Sequence, residues 1–348
     1  MTKIPGNGYF SSRRRISPEQ ATTAHAIAIV ALQLIFAIAV SSSLQAQQRT
    51  SATAPVIRTV TVENGVRIEV LDWGGTGRPL VFLAGLGATA HDFDKLAPQF
   101  TPHHHVFAIT RRGFGASSKP VPTVANYSAE RLGEDLLIVI QSLKLDHPVL
   151  AGHSIAGEEL SWFGSQHPGE VAGLIYLDSI DSYSFYDPTQ TDMVMDVVDV
   201  RHQIDAFEAG EPLSTTALGQ IRDSAAALAK SSGRMADNVA MAGRGDPAPP
   251  PVGLAIFFGK EKFTTVHAPM LAIVACPHAF APLAQIDAKA AAIATAKDRA
   301  RCTDQIQSLK AHVPSAQIVV LPNADHYIYH SNEADVVRAM DAFLATLP

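Results

Sequence analysis

Residues 148–159 read Pro-Val-Leu-Ala-Gly-His-Ser-Ile-Ala-Gly-Glu-Glu: an apolar run, a turn carrying Ser154, and a stretch that suits a helix. A serine on a sharp strand-to-helix turn presents its hydroxyl as a nucleophile, and such a turn needs small residues beside it, which Gly152 and Ala156 supply. The pattern is G-x-S-x-G with alanine in the last place, and a small side chain is all that the turn requires. A mere loop serine would not need the apolar run before it or the helix-compatible stretch from Glu158 to His167 after it. A serine hydroxyl attacks effectively only when a positioned base removes its proton. His326 is the candidate base, because it follows the last apolar run, Gln317 to Leu321, in the turn before the final helix. In a doubly wound sheet that turn opens on the same edge as the serine turn.

The rest of the chain reads as the frame for these two residues. Val56 to Val62, the dipeptide Asn64-Gly65 and Val66 to Val70 alternate apolar with polar around a turn, which predicts a hairpin. Continuous apolar runs at Leu80–Leu83, Val106–Ile109, up to Ser154, Gly173–Leu177, Met270–Ala275 and Gln317–Leu321 predict buried parallel strands. Helices are expected from Asp92 to Phe100, from an N-cap at Ser128 to about Leu143, after the serine turn, from Gln285 to His312 and from Asn332 to Leu347. Strands alternating with helices predict an α/β fold, a mostly parallel doubly wound sheet covered on both faces. The alternation fails between residues 183 and 266, where helical, alanine-rich and acidic segments and a Gly/Pro-rich break predict a helical cap inserted over the strand ends. The core is thus expected in two parts, 55–182 and 267–348.

The N-terminus belongs to neither part. Arg13-Arg14-Arg15, the apolar run Ala26–Val40 and the small and polar residues Ser41–Gln47 have the layout of an export signal over 1–46, with an uncleaved anchor as the alternative and a linker at 47–54. Export into an oxidising compartment would let the only two cysteines, Cys276 and Cys302, pair, and two buried thiols are the other reading. With 348 residues, 47% hydrophobic and 17% charged, the chain is a folded enzyme-sized protein, and a net charge of −6 argues against nucleic acid as its partner.

Taken in order, Ala84-Gly85-Leu86-Gly87, Arg112-Gly113-Phe114-Gly115-Ala116-Ser117, Gly152-His153-Ser154-Ile155-Ala156-Gly157 and Asn323-Ala324-Asp325-His326-Tyr327 resemble the motifs of the α/β-hydrolase superfamily, specifically its cap-bearing serine hydrolases. The resemblance implies acyl transfer by a Ser, acid, His triad. The acid that most of the family carries after the strand Met270–Ala275 is missing, since that loop reads Cys276-Pro277-His278-Ala279-Phe280-Ala281-Pro282. Some relatives supply it one strand earlier, which here points to Asp178, with Asp181 second and Asp287 third. The expected oxyanion donors are the backbone N–H groups of Ile155, next to the nucleophile, and Leu86. Family members commonly have histidine where this chain has Ala84.

Other chemistry-bearing residues read as structural. His103-His104-His105 cannot all face one ion and suit a solvated turn, and His267 and His278 have no companions at ligand spacing, so no metal is expected. Glu158 and Glu159 suit the first turn of a helix as dipole partners, Arg112 suits a loop brace, and Asp325 is expected to brace its own turn. Tyr183, Phe185, Tyr186, Phe257, Phe258 and Phe263 either line an apolar pocket or pack within the cap. The expected function is hydrolysis of a small, fairly apolar carboxylic ester without a cofactor. A lactonase, a C–C hydrolase, a perhydrolase and a non-catalytic binding protein on the same scaffold are the alternatives.

Overall fold

The computed structural model describes residues 54–187, 189, 192–242, 251–280 and 285–348, with the backbone alone from 234 to 242. The expected export signal and all but the last residue of the expected linker lie outside the described residues. Among the described residues no helix is long and apolar enough to cross a membrane.

Eight strands form one sheet: β1 Val56–Glu63, β2 Val66–Gly74, β3 Pro79–Leu83, β4 His105–Thr110, β5 Val149–His153, β6 Gly173–Leu177, β7 Met270–Ala275 and β8 Gln317–Leu321. Their spatial order is β1-β2-β4-β3-β5-β6-β7-β8. β2 pairs antiparallel with β1 and with β4, and the remaining neighbours are parallel. β5 and β6 are buried along their full length, as unbroken apolar runs covered on both faces must be.

The period of two along the strands divides the core. Val81, Leu83, Leu150, Leu174 and Tyr176 point to one face, where they meet Leu136, Val139 and Ile140 of α1 (Ala129–Ser142) and Leu160 and Phe163 of α2 (Gly157–Gln166). Leu80, Phe82, Ala151, Ile175 and Leu177 point to the other, where they meet Phe93 and Phe100 and the apolar stripe of the C-terminal helix. Ser128 caps α1, its hydroxyl accepting from the Arg131 N–H.

Three expectations are corrected. The span Asp92 to Phe100 is two short 3-10 turns, Ala90–Phe93 and Ala97–Phe100, because Pro98 lacks the N–H that a continuous helix would need. β2 runs on to Gly74, since the second half of the strand pairs with β4 through Asp72↔Phe107 and Gly74↔Val106. The helix expected from Gln285 starts at Ala288, after Asp287 turns its carboxylate onto the Ala290 N–H.

Between β6 and β7 the described residues form three helices, α3 Met193–Glu208, α4 Thr215–Ala242 and α5 Pro251–Phe258. After β7 come α6 (Ala288–His312) and, beyond β8, α7 (Glu333–Leu344).

Candidate active site

Ser154 follows β5 directly and opens the 3-10 turn Ser154–Ala156 that leads into α2. Its φ of 53° lies in the left-handed region, which aims the side chain out of the strand end while the chain reverses. A methyl group on Gly152 would stand 3.1 Å from the Ala156 side chain, so both positions have to be small. Ser179, fully buried, donates its hydroxyl to the Ser154 carbonyl and braces the turn from the end of β6. The loop after β3 closes on the same point: a methyl group on Gly85 would lie 2.8 Å from Nδ1 of His153 and 3.4 Å from Cβ of Ser154. Leu86 and Ile155 therefore flank Ser154 from two different loops, and both touch one apolar cluster.

His326 reaches Ser154 from the turn after β8. Its Nε2 stands 2.9 Å from Ser154 Oγ, and its Nδ1 stands 2.6 Å from Oδ2 of Asp178. Asp178 sits at the end of β6 with φ 48° and is 6% exposed. Its Oδ1 accepts the Ala275 N–H at 2.9 Å. Burial by itself would push this carboxyl up, but hydrogen bonds from His278 and His326 and their positive charge hold it down at about 2. The two other acids are engaged elsewhere. Asp181 pairs with Arg301 at 2.7 Å, and Asp287 caps α6. Asp325 gives its backbone N–H to Ser331 Oγ.

Sequence reasoning missed His278, and the reading that it has no companions is corrected in space. Its Nε2 contacts the same Oδ2 of Asp178 at 2.7 Å, and its Nδ1 contacts Oδ2 of Asp298 at 2.9 Å. The hydrogen bond that His278 donates to Asp178 outweighs burial and raises His278 to about 9. Sequence separation hid these partners, which lie 100 positions before it and 20 after it. The signal was its place, in the very loop where the family carries its acid. His153 was missed as well. Buried under His326, with ring centroids 4.7 Å apart, it holds the His326 carbonyl at 3.0 Å, and burial, helped by His326, lowers it to about 4.

Asp178, His278 and His326 are the one group among the described residues whose ligand atoms gather as a metal site would need. The two nitrogens approach one oxygen at 2.6 and 2.7 Å, whereas ligands around a tetrahedral zinc stand about 3.3 Å apart. The arrangement is that of a shared hydrogen-bond acceptor. His105, expected in a solvated turn, instead begins β4 and binds Asp72 at 2.8 Å, while His103 and His104 do lie in the turn.

The other polar groups divide. Arg112 is fully buried and grips Asp135 of α1 with two 2.6 Å bonds, so it braces the loop after β4. Arg111 pairs with Glu159 at 2.6 Å, which gives Glu159 a role beyond the helix dipole. Glu158 is fully buried, and neither of its oxygens has a hydrogen-bond partner among the described residues. Burial and the charge of Glu159 raise its carboxyl well above the usual range.

The aromatic residues of the insertion also divide. Tyr183, Tyr186 and Phe257 join Ile155, Leu86 and Phe114 in the cluster beside Ser154, and Tyr183 is within electrostatic reach of the Ser154 hydroxyl. Phe185 and Phe263 belong to the main core, and Phe258 is exposed. Cys276 and Cys302 form a disulfide that ties the loop after β7 to α6.

The sequence profile of the alpha/beta hydrolase family matches residues 80–339. Among curated proteins, a fluoroacetate dehalogenase of Burkholderia sp. is 32% identical over 116 residues, 33% of this chain and 38% of the dehalogenase. A bifunctional esterase/perhydrolase of Acinetobacter calcoaceticus is 27% identical over 124 residues, 35% of this chain and 44% of the relative. In each case the match spans less than half of the relative's length. A bromoperoxidase of Bacillus anthracis superposes with a TM-score of 0.54 at 16% identity, over 83% of this chain and all of that one, which speaks for the fold alone.

Proposed function

Because the chain belongs to the alpha/beta hydrolase family, we propose that it is a serine hydrolase that cleaves a small, fairly apolar carboxylic ester through an acyl-enzyme. One observation carries this reading: the unbroken chain of hydrogen bonds from Ser154 through His326 to Asp178, at 2.9 and 2.6 Å.

In the proposed reaction, Ser154 Oγ attacks the ester carbonyl while His326 Nε2 takes its proton. Asp178, kept ionised by its partners, fixes the Nδ1–H tautomer and stabilises the imidazolium as it forms. The N–H groups of Leu86 and Ile155 receive the charge that gathers on the former carbonyl oxygen, and Ile155 adds the favourable field of a helix N-terminus. His326 then returns the proton to the leaving alcohol. Water, deprotonated by the same imidazole, releases the acid and restores Ser154. No step needs a cofactor.

Helices α3 to α5 act as a cap in this reading. The apolar cluster of Tyr183, Tyr186, Phe257, Phe114, Leu86 and Ile155 supplies a surface for an uncharged acyl or alcohol group. The dehalogenase and esterase/perhydrolase relatives show how widely the scaffold's chemistry ranges, and the serine nucleophile favours acyl transfer. Lactones, C–C bonds and peracid formation use the same parts. The disulfide supports the further proposal that the mature protein works outside the cytoplasm, with the N-terminal segment as its export signal or membrane anchor.

A fluorophosphonate probe should label the wild type, and labelling should vanish in Ser154→Ala. p-Nitrophenyl esters of rising acyl length should then show turnover highest for short chains. A folded wild type that takes up no label would leave a binding protein on a hydrolase scaffold.

A further inference from the structure

Asp178 serves two imidazoles through one oxygen. His326 comes from the turn after β8 and His278 from the loop after β7, at 2.6 and 2.7 Å. Only the first contact belongs to the proposed proton relay. The second is built with more constraint. Asp298, on α6 and 9% exposed, accepts both the backbone N–H of His278 at 2.6 Å and its Nδ1 at 2.9 Å. Arg301 holds the other oxygen of Asp298 at 3.0 Å. Two residues before His278 the disulfide Cys276–Cys302 fastens the same loop to the same helix, one turn beyond Asp298. The loop and α6 are therefore tied twice within a few residues, and what the ties deliver is the His278 ring to Asp178.

We propose that His278 is a positioning residue for the triad acid: clamped by Asp298 and by the Cys276–Cys302 disulfide, it donates Nε2–H to Asp178 and offsets part of that carboxylate's charge. The proposal rests on the triad reading given above. It also explains how the loop that lacks the usual acid still serves the site. Asp178 carries φ 48° after a strand end, and one contact to a half-exposed His326 would leave its Oδ2 free to turn. The second donor, with the Ala275 N–H on Oδ1, fixes the carboxylate plane.

The groups facing His278 are Asp178 at the end of β6, Asp298 and Arg301 from α6, and His326 from the turn after β8; Asp181 and Asp325 join Asp178, Arg301 and His326 in lining a cavity of about 380 Å³. Two acids contact the ring directly and hold it protonated well above neutral pH. A cation on the far side of Asp178 weakens the pull of that carboxylate on a proton at His326.

The experiment compares wild type, His278→Gln and Asp298→Asn, each before and after reduction by a water-soluble phosphine. In His278→Gln, kcat should fall by about 10- to 100-fold, the size of loss seen when orienting partners of a site histidine are removed. KM should stay within about twofold, and the acid limb of the kcat/KM profile should move to higher pH, a shift that a purely structural residue would not give. Asp298→Asn should show a smaller change in the same direction. Reduction should bring the wild type toward the His278→Gln level and change His278→Gln itself little, because both remove the same contact. Proton NMR gives a reading independent of turnover: two downfield imidazole N–H signals from protons donated to Asp178, one by each histidine, in the wild type and one in His278→Gln.

Unchanged kcat and an unchanged acid limb in folded His278→Gln would overturn the proposal, as would equal losses on reduction in the wild type and the variant. If the substitution prevents folding, reduction of the wild type decides alone: undiminished turnover and two retained N–H signals would count against the clamp. A wild type without fluorophosphonate labelling but with both signals would instead fault the hydrolase reading.

Discussion

Two buried acids stand on either side of the nucleophile and are treated in opposite ways. Asp178, at the end of β6, is 6% exposed, and its two oxygens receive three hydrogen bonds. Glu158, in the first turn of α2, is 0% exposed, and its two oxygens receive none among the described residues. Burial pushes both carboxyls upward, yet Asp178 ends at about 2 and Glu158 well above its ordinary value. Depth does not decide which acid is charged; donors do. The strand end beside Ser154 holds a fixed anion, and the first turn of the helix holds a carboxyl that burial and the charge of Glu159 shift toward its protonated form.

The largest test of this contrast is at the charged side. Ser154→Ala should lower turnover by about 10⁶-fold and Asp178→Asn by about 10⁴-fold, with unchanged far-UV circular dichroism in both. An Asp178→Asn enzyme within tenfold of wild type would remove the need for a fixed anion. On the helix side the pair Arg111–Glu159 is the counterpart, with both side chains 6% exposed. Glu159→Gln strands a buried guanidinium and should cost about 3 to 5 kcal/mol in urea unfolding. Glu158→Gln, one residue earlier, replaces a carboxyl without a hydrogen-bond partner among the described residues by an uncharged amide and should change stability by less than about 1 kcal/mol below pH 4.5. Equal losses in the two variants would erase the distinction between them.

The pH dependence of thermal unfolding sharpens the comparison further. Asp178 titrates lower in the folded chain, about 2 against 3.8, so its stabilisation is complete above 3.8 and is lost as pH falls toward 2. His278 titrates higher, about 9 against 6.5, so its share is complete below 6.5 and is lost as pH rises through 9. Glu158, raised from 4.5, adds a penalty that sets in as pH climbs past 4.5. Stability should therefore peak on the acid side of neutrality. Glu158→Gln should flatten the decline that begins at 4.5 and leave the one between 6.5 and 9 in place.

Much of this was readable from residues alone, where a local pattern has one physical meaning. The small residues at 152 and 156 admit a tight turn, and the unbroken apolar runs admit only strands covered on both sides. The acid of the relay was legible only as a choice among Asp178, Asp181 and Asp287, because its identity depends on which strand ends adjoin. The pairing of β6 with β7 and of β7 with β8 brings Asp178, His278 and His326 together. No periodicity in the chain encodes that. Pro98, by contrast, is a visible local signal against one continuous helix from Asp92 to Phe100.

Ser154 and Asp178 share a feature with a price outside chemistry. Both hold positive φ, 53° and 48°, where a side-chain-bearing residue is strained by about 1 to 2 kcal/mol and glycine is not. A laboratory evolution campaign that rewards heat resistance and ignores turnover would drift toward glycine at position 154, whereas the three hydrogen bonds on its carboxylate hold Asp178 in place. It would yield hardy, inert descendants, so any screen for rugged variants has to assay product formation in every round.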